Sequence, residues 1–276
     1  MPKTEAINIW ALLAEANRRS DERSVQSSGD VLNAKIAVLN ADQGSMPGDD
    51  CPNCRKKGWV AVRDGDDYIV RDCQCLPARL SINRMRRSGL GDMLKRCTFD
   101  TYVAEEPWQK RLLSAAQDFV SDHAGKWFYI GGQVGCGKTH ICTAIVGELL
   151  KQGLSARYIV WPKAAARLKA VIMDSEAYNR ELNDLQTTGV LYIDDFFKTE
   201  TGKAPSTADI RLAFELLNHR YISTSLVTVI SSERTVDGIT DTDEAVGSRV
   251  YERTRGFCLA VPRDTRKNYR LRETGI

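Results

Sequence analysis

The stretch Gly132-Gln-Val-Gly-Cys-Gly-Lys-Thr139 constrains this chain more than any other. It spells G-x-x-x-x-G-K-[ST], with Gly132, Gly137, Lys138 and Thr139 at the fixed positions. Glycine lets the backbone take conformations that other residues resist and approach an anion closely. Such a loop belongs between a strand and a helix. Here Trp127-Phe-Tyr-Ile130 reads as a short apolar strand before it, and Lys138 to Lys151 as a helix after it. The turn and the helix start then aim N–H groups at phosphate oxygens. Lys138 is placed to reach the β- and γ-phosphates, and the Thr139 hydroxyl to ligate Mg²⁺. Gly135, Cys136 and His140 complete the expected nucleotide-binding set. The chain therefore calls for Mg²⁺ and ATP, or a close relative of ATP.

A loop of this kind needs a carboxylate at the end of a neighbouring buried strand. Val190-Leu-Tyr-Ile193 ends in Asp194 and Asp195. Asp194 is the metal-side candidate, and Asp195 the group that orients or deprotonates the attacking water. Many such enzymes carry Glu at the second position; Asp is a methylene shorter, which points to slow or assembly-dependent hydrolysis. Leu226 to Ile230 is a further strand, running into Ser231-Ser232-Glu233, and either Ser232 or Glu233 is a candidate for touching the γ-phosphate. Strands Ala156–Val160 and Phe257–Val261 and helices over 108–123, 162–173, 176–186, 209–221 and 243–253 fill the rest. Strands alternating with helices predict an α/β fold with a parallel sheet covered on both faces.

Four of the eight cysteines crowd into one segment: Cys51-Pro-Asn-Cys54, eighteen residues, then Cys73-Gln-Cys75. Four thiolates suit a tetrahedral Zn²⁺. Gly58–Val62 and Tyr68–Val70, joined by a turn over 64–67, would form a hairpin that brings the two pairs together, as in a zinc ribbon. A redox pair or free thiols are the alternatives. With four protein ligands the metal would be structural. Upstream, Ile7, Trp10, Leu13 and Ala14, then Leu32, Ile36 and Leu39, recur at helical spacing. The resulting division is 1–78 helical and zinc-binding, 79–98 a basic linker, and 99–276 the ATPase domain.

The net charge of +3 excludes a general polycation, and no apolar run approaches the roughly 18–20 residues of a membrane span. The N-terminus does not read as a signal peptide, which makes the cytoplasm the expected compartment. Charge is clustered instead. Six basic residues face one acid between Arg79 and Arg96, and eight face two between Arg249 and Arg272. Such clusters can track nucleic-acid phosphates. Arg249 and Arg253 stand at i and i+4 on one predicted helix face; the bland reading pairs them with Asp243 or Glu244.

In order along the chain stand a helical N-terminus, the cysteine module, Arg96-Cys-Thr-Phe99-Asp-Thr-Tyr102, the loop with Lys138-Thr-His140, Ile193-Asp-Asp-Phe196, Ile230-Ser-Ser-Glu233 and Gly247-Ser-Arg249-Val-Tyr-Glu-Arg253. This order resembles the DnaC/DnaI-type replicative helicase loaders, especially those of phages and Gram-positive bacteria, over residues ~96–262. The resemblance implies an AAA+ P-loop NTPase core that oligomerises in a ring or spiral, with nucleotide between subunits. It further implies that Arg253, or else Arg249, acts in trans as an arginine finger, and that Phe99 and Tyr102 lie near the adenine. It gives the N-terminal module a DnaB-type hexameric helicase to grip and the ATPase domain single-stranded DNA to bind. Lys163, Arg167 and Lys169 sit where such relatives place DNA-facing residues. The chain departs from the pattern where many AAA+ proteins carry Asn, having Ser231-Ser232-Glu233 instead, and it shows no second sensor arginine after the core. An IstB-type transposition helper is the competing reading, against which the cysteine module argues. A small-molecule kinase would need an acceptor site and a lid, and neither is found.

Overall fold

The computed structural model describes residues 28–48, 50–87, 90–200 and 203–271. The helix expected around Ile7 to Ala14 lies outside them. The chain divides into two compact units, residues 1–76 and 77–276.

In the first unit α1 (Ser28–Ala41) is followed by the hairpin β1 (Trp59–Asp64) and β2 (Asp67–Asp72). The strands pair antiparallel with Trp59 opposite Asp72 and Asp64 opposite Asp67. Gly65, at φ +61°, makes the tight two-residue turn possible. The Asn40 amide donates to the Ala61 carbonyl at 2.9 Å and accepts from the Ala61 N–H at 2.9 Å. A side chain at the end of α1 thus satisfies the free edge of β1 as another strand would.

The second unit begins with α2 (Leu76–Arg87) and α3 (Gly91–Arg96). The described part of residues 79–98, expected as a basic linker, thus carries α2 and α3. The reason is apolar burial: Met85 and Leu90 are fully inaccessible and belong to the main core. Then come α4 (Pro107–Ser121), β3 (Trp127–Gly132), α5 (Lys138–Lys151), β4 (Ala156–Val160), α6 (Trp161–Ala170), α7 (Ser175–Thr187), β5 (Val190–Asp194), α8 (Thr207–Ile222), β6 (Val227–Ser231), α9 (Val236–Thr240), α10 (Glu244–Arg253) and β7 (Cys258–Val261). Two 3₁₀ turns, Thr265–Lys267 and Tyr269–Leu271, follow. The helix read from Asp209 starts two residues earlier because Ser206 and Asp209 form a reciprocal capping box.

The five strands are parallel in the order β4-β5-β6-β3-β7. Side chains alternate across the sheet. Phe128, Ile130, Val190, Tyr192 and Val229 join α4 and α5 on one face, and Trp127, Tyr129, Leu191, Ile193 and Ile230 join α6, α7, α8 and α10 on the other. Burial on both faces explains the nearly unbroken apolar runs of β3 and β5. The carboxyl ends of β3, β5 and β6 therefore meet along one edge.

Arg220 on α8 is fully buried. Its guanidinium donates to the carbonyls of Leu185, Gln186, Thr188 and Val227 and to the Thr228 hydroxyl, at 2.6–3.1 Å. Those carbonyls include the last turn of α7, which would otherwise end unsatisfied. Burial lowers its pKa to about 9. Arg220→Met should cost about 3 kcal/mol or more, because buried carbonyls lose donors at about 1–3 kcal/mol each. The denaturant midpoint would report it. Lys at 220 should restore little, having three donors for five acceptors.

Candidate functional site

β3 ends in Gly132 at φ +104°, where a Cβ would stand 2.1 Å from the Val261 carbonyl oxygen. Only glycine fits between β3 and β7 there. Gly137, at φ +93°, precedes α5 and offers no side-chain cap. The first N–H groups of α5 are thus left to an outside anion. The Lys138 ammonium lies inside the loop and donates to the carbonyls of Gly132 at 2.8 Å and Gln133 at 2.6 Å. Cys136 is 4 % exposed and packed into the core, so its backbone alone can serve a ligand. The loop opens on a cavity of about 610 Å³, within the range of small-molecule sites. A left-handed cradle, free helix N–H groups and a lysine form a donor set suited to a polyphosphate.

At the end of β5, Asp194 is 8 % exposed. Its carboxylate accepts from the Tyr158 hydroxyl on β4 at 3.2 Å, from the Asp195 N–H at 3.1 Å and from the Ser231 hydroxyl on β6. The Thr139 hydroxyl stands 3.4 Å away. Thr139 and Asp194 thus come together from separate strand–loop units, as a shared Mg²⁺ requires. Burial, then the neighbouring Asp194 charge, pushes the Tyr158 phenol above its ordinary range and keeps it a donor.

Asp195 has φ +53° and Phe197 φ +53°. Asp tolerates left-handed backbone, but at Phe197 it is strained. The segment is held by β6: the Phe196 N–H donates to the Ser231 carbonyl at 2.9 Å, and the Ser232 hydroxyl to the Phe196 carbonyl at 2.7 Å. Phe196 and Phe197 are buried and stacked, with ring centroids 4.2 Å apart. The turn returns Lys198 to the cavity, where it meets Asp195 at 3.1 Å and Glu233 at 3.1 Å.

The other expected residues separate. Of the two sensor candidates, Ser232 is fully buried and spent on the Phe196 carbonyl, whereas Glu233 lines the cavity. Tyr102 lines it too, and its buried hydroxyl lacks a partner; burial raises its pKa to about 12. Phe99 packs on the core beside it. His140 donates to the Thr98 carbonyl at 2.9 Å and meets the Tyr102 ring edge-on at 5.3 Å, tying the 98–102 segment to α5. Arg249 donates to Asn218 at 3.0 Å and the Ala245 carbonyl at 2.8 Å; Arg253 donates to the Ser223 carbonyl. Neither pairs with Asp243, which caps α10 by accepting from the Val246 N–H. On α6, Arg167 pairs with Glu181 at 2.8 Å and Lys169 with Asp209 at 2.9 Å; Lys163 lines a groove with Arg157 and Arg167 along the edge strand β4.

Residues that sequence reading missed include Tyr158, Ser231, Lys198 and the C-terminal turns. Lys267, Tyr269 and Arg270 line the cavity, and the Tyr269 N–H donates to the Gly135 carbonyl at 2.9 Å. The signal for Ser231 was its place at the end of a strand; Tyr158, in the middle of β4, reaches Asp194 only through the length of its side chain, and for the turns there was only charge.

In the first unit the sulfurs of Cys51, Cys54, Cys73 and Cys75 all lie within 4.8 Å of one another. The Cys51–Cys73 separation is 3.7 Å and Cys54–Cys75 3.3 Å, close to the about 3.8 Å edge of a sulfur tetrahedron around zinc at about 2.3 Å. Arg55 and Lys56, at φ +46° and +66°, fold the chain under the first pair so that the Gly58 N–H reaches Cys54. Burial opposes the Cys54 thiolate, but that N–H and the neighbouring thiols outweigh it and lower its pKa to about 6. Burial and the other thiols raise Cys73 to about 12. Such a set gains from a cation that all four can face. Protein purified under reducing conditions should carry one zinc per chain by elemental analysis, and Cys73→Ser should carry well under half of that.

This fold and site define an ATP-binding protein of the AAA+ class with the residues of an ATPase. Residues 79–274 match the family described as IstB-like ATP binding protein, and the chain belongs to it. It is 27 % identical over 223 residues to the phage-like element PBSX protein XkdC of Bacillus subtilis, covering 77 % of this chain and 82 % of that one. It is 27 % identical over 246 residues to the replicative helicase loader DnaI of Bacillus subtilis, covering 83 % and 76 %. A crystal structure of the DnaC helicase loader shares the fold with a TM-score of 0.51 at 20 % identity, covering 62 % of this chain and 98 % of that one.

Proposed function

We propose that this protein is an ATP-dependent helicase loader, which binds a DnaB-type replicative helicase and delivers it onto single-stranded DNA. The observation that carries the reading is the reach of the likeness to DnaI. It extends over 83 % of the chain, more than residues 77–276 alone could supply, and so enters the unit that bears the cysteines. A transposition helper of the IstB type would not call for that unit. In the loader it is the zinc-bound part that grips the helicase, while the groove beside Lys163 faces DNA.

Lys138 balances phosphate charge, Thr139 and Asp194 hold Mg²⁺, and Asp195 orients the water. Asp195 is short for this task and is engaged by Lys198, which favours slow turnover and a switching role. Subunits assemble with nucleotide between them, and Arg253, or Arg249 in its place, reaches a neighbour's nucleotide. No helix among the described residues is long and apolar enough to cross a membrane, in keeping with work in the cytoplasm.

Co-purification with a replicative helicase, with and without ATP, is the direct test. The helicase should be retained, and Lys138→Ala should make retention indifferent to ATP while weakening ATP binding roughly 100-fold. Tight binding to a transposase with no helicase retained would overturn the loader reading. For the finger, Arg253→Ala should lose most DNA-stimulated ATPase, and mixing it with Lys138→Ala subunits should recover part of that loss. Unchanged ATPase in Arg253→Ala alone would remove the assignment.

A further inference from the structure

The cavity contains a charge cluster that the motif leaves unexplained. Glu233 stands at the end of β6, facing the same cavity as Lys138. A lone carboxylate there would repel a terminal phosphate. Lys198 prevents this by bridging Glu233 and Asp195, each at 3.1 Å. Burial opposes its charge, but hydrogen bonds to Glu233 and Asp195 outweigh it and raise the ammonium above its ordinary range.

The bridge is not there for stability. The side chains of Lys198, Asp195 and Glu233 are 43 %, 35 % and 36 % exposed, and ion pairs this wet contribute about 0–1 kcal/mol. Its backbone is nevertheless costly. Two left-handed residues, Asp195 and Phe197, are needed to turn Lys198 back. Buried Phe196 and Phe197 and the carbonyl contacts from Ser232 and Arg234 hold that turn against β6. A strained, well-anchored turn that delivers one cation to a nucleotide cavity is a binding device.

We infer that Lys198 is the γ-phosphate-reading residue of this site, held by Asp195 and Glu233 when no nucleotide is present and transferred to the terminal phosphate when ATP binds. The inference rests on the reading of the cavity as an ATP site. Its consequence is a coupled exchange. An ammonium that turns to the phosphate leaves Asp195, and the carboxylate is then free to orient water. ADP, which lacks the third phosphate, leaves the bridge closed. Glu233 sets the threshold, because it competes with the phosphate for the same cation. Lys198 is thus a positioning residue for Asp195 as well as a phosphate contact.

The test compares binding of AMPPNP and ADP by calorimetry in the full chain, with steady-state ATPase alongside. Lys198→Met should weaken AMPPNP roughly 10- to 100-fold, the worth of one charge-assisted hydrogen bond, and leave ADP within about twofold. Lys198→Arg should keep most of the discrimination. Glu233→Gln should tighten AMPPNP several-fold, and by a larger factor in the Lys198→Met background, where Glu233 is unopposed. That non-additivity distinguishes a shared site from separate structural effects. Lys198→Met should also raise KM more than it lowers kcat, because Asp195 is then never held. Equal weakening of AMPPNP and ADP, or no weakening of either, would overturn the inference while leaving the ATP site intact. A wild-type chain that binds neither nucleotide would overturn the site itself. Thermal melting without nucleotide should find all three variants folded, since none removes a buried contact.

Discussion

The ATP-binding unit depends on the gathering of hydroxyl and N–H donors around the carboxylate of Asp194. Tyr158 comes from β4, Ser231 from β6 and Thr139 from the start of α5, while Asp195 supplies its own N–H. No two of these donors lie close together in sequence, and only Asp195 is a chain neighbour of the carboxylate it serves. They meet because parallel strands place their carboxyl ends on one edge, and because β5 lies between β4 and β6. A buried carboxylate without such donors would be costly. The cluster therefore fixes strand order and site geometry together. It also ties the phosphate loop, through Thr139, to the strands that surround it.

The left-handed turn after Asp194 is the second constraint, and it follows from the first. The chain must leave the end of β5 without covering the carboxylate. It does so by turning sharply at Asp195, burying Phe196 and Phe197, and returning at Lys198. Apolar burial of the two rings offsets the backbone strain. Charge at one end of the turn and aromatic mass in its middle are thus two parts of one local solution. Arg234, just after β6, anchors the same turn by donating to the Phe197 carbonyl at 3.3 Å.

The sequence made much of this legible, and for physical reasons. The phosphate loop, its strand and its helix could be read because glycine, apolar periodicity and a single lysine admit few alternatives. The hairpin was legible from its apolar runs and the Asp/Gly turn between them, and the four cysteines from their pairing at its two ends. Three things were hidden. Residues 79–98 carry many basic side chains, which masked the apolar positions, Met85 and Leu90, that dock the segment in the core. Lys198 carries no local signal, because nothing in the sequence announces positive φ at a phenylalanine. The C-terminal turns have no periodicity, and their tie to the Gly135 carbonyl is a backbone contact that no side-chain pattern encodes.

The two arginines of α10 differ in how firmly the chain holds them. Both guanidinium groups lie against the Tyr221 ring, at 5.5 Å for Arg249 and 5.9 Å for Arg253. Arg249 is also over Phe214 at 4.8 Å and is held by Asn218 and the Ala245 carbonyl. Arg253 has one carbonyl partner, at Ser223, and its buried Nε has none. An arginine that must swing toward another subunit gives up its resting contacts first. Arg253 has fewer to lose, and an unsatisfied buried N–H favours departure. Of the pair, Arg253 is therefore the less firmly held, whereas Arg249 is fastened to α8 and serves to hold α10 in place. The proposal that Arg253 acts between subunits would therefore meet the lower cost of release.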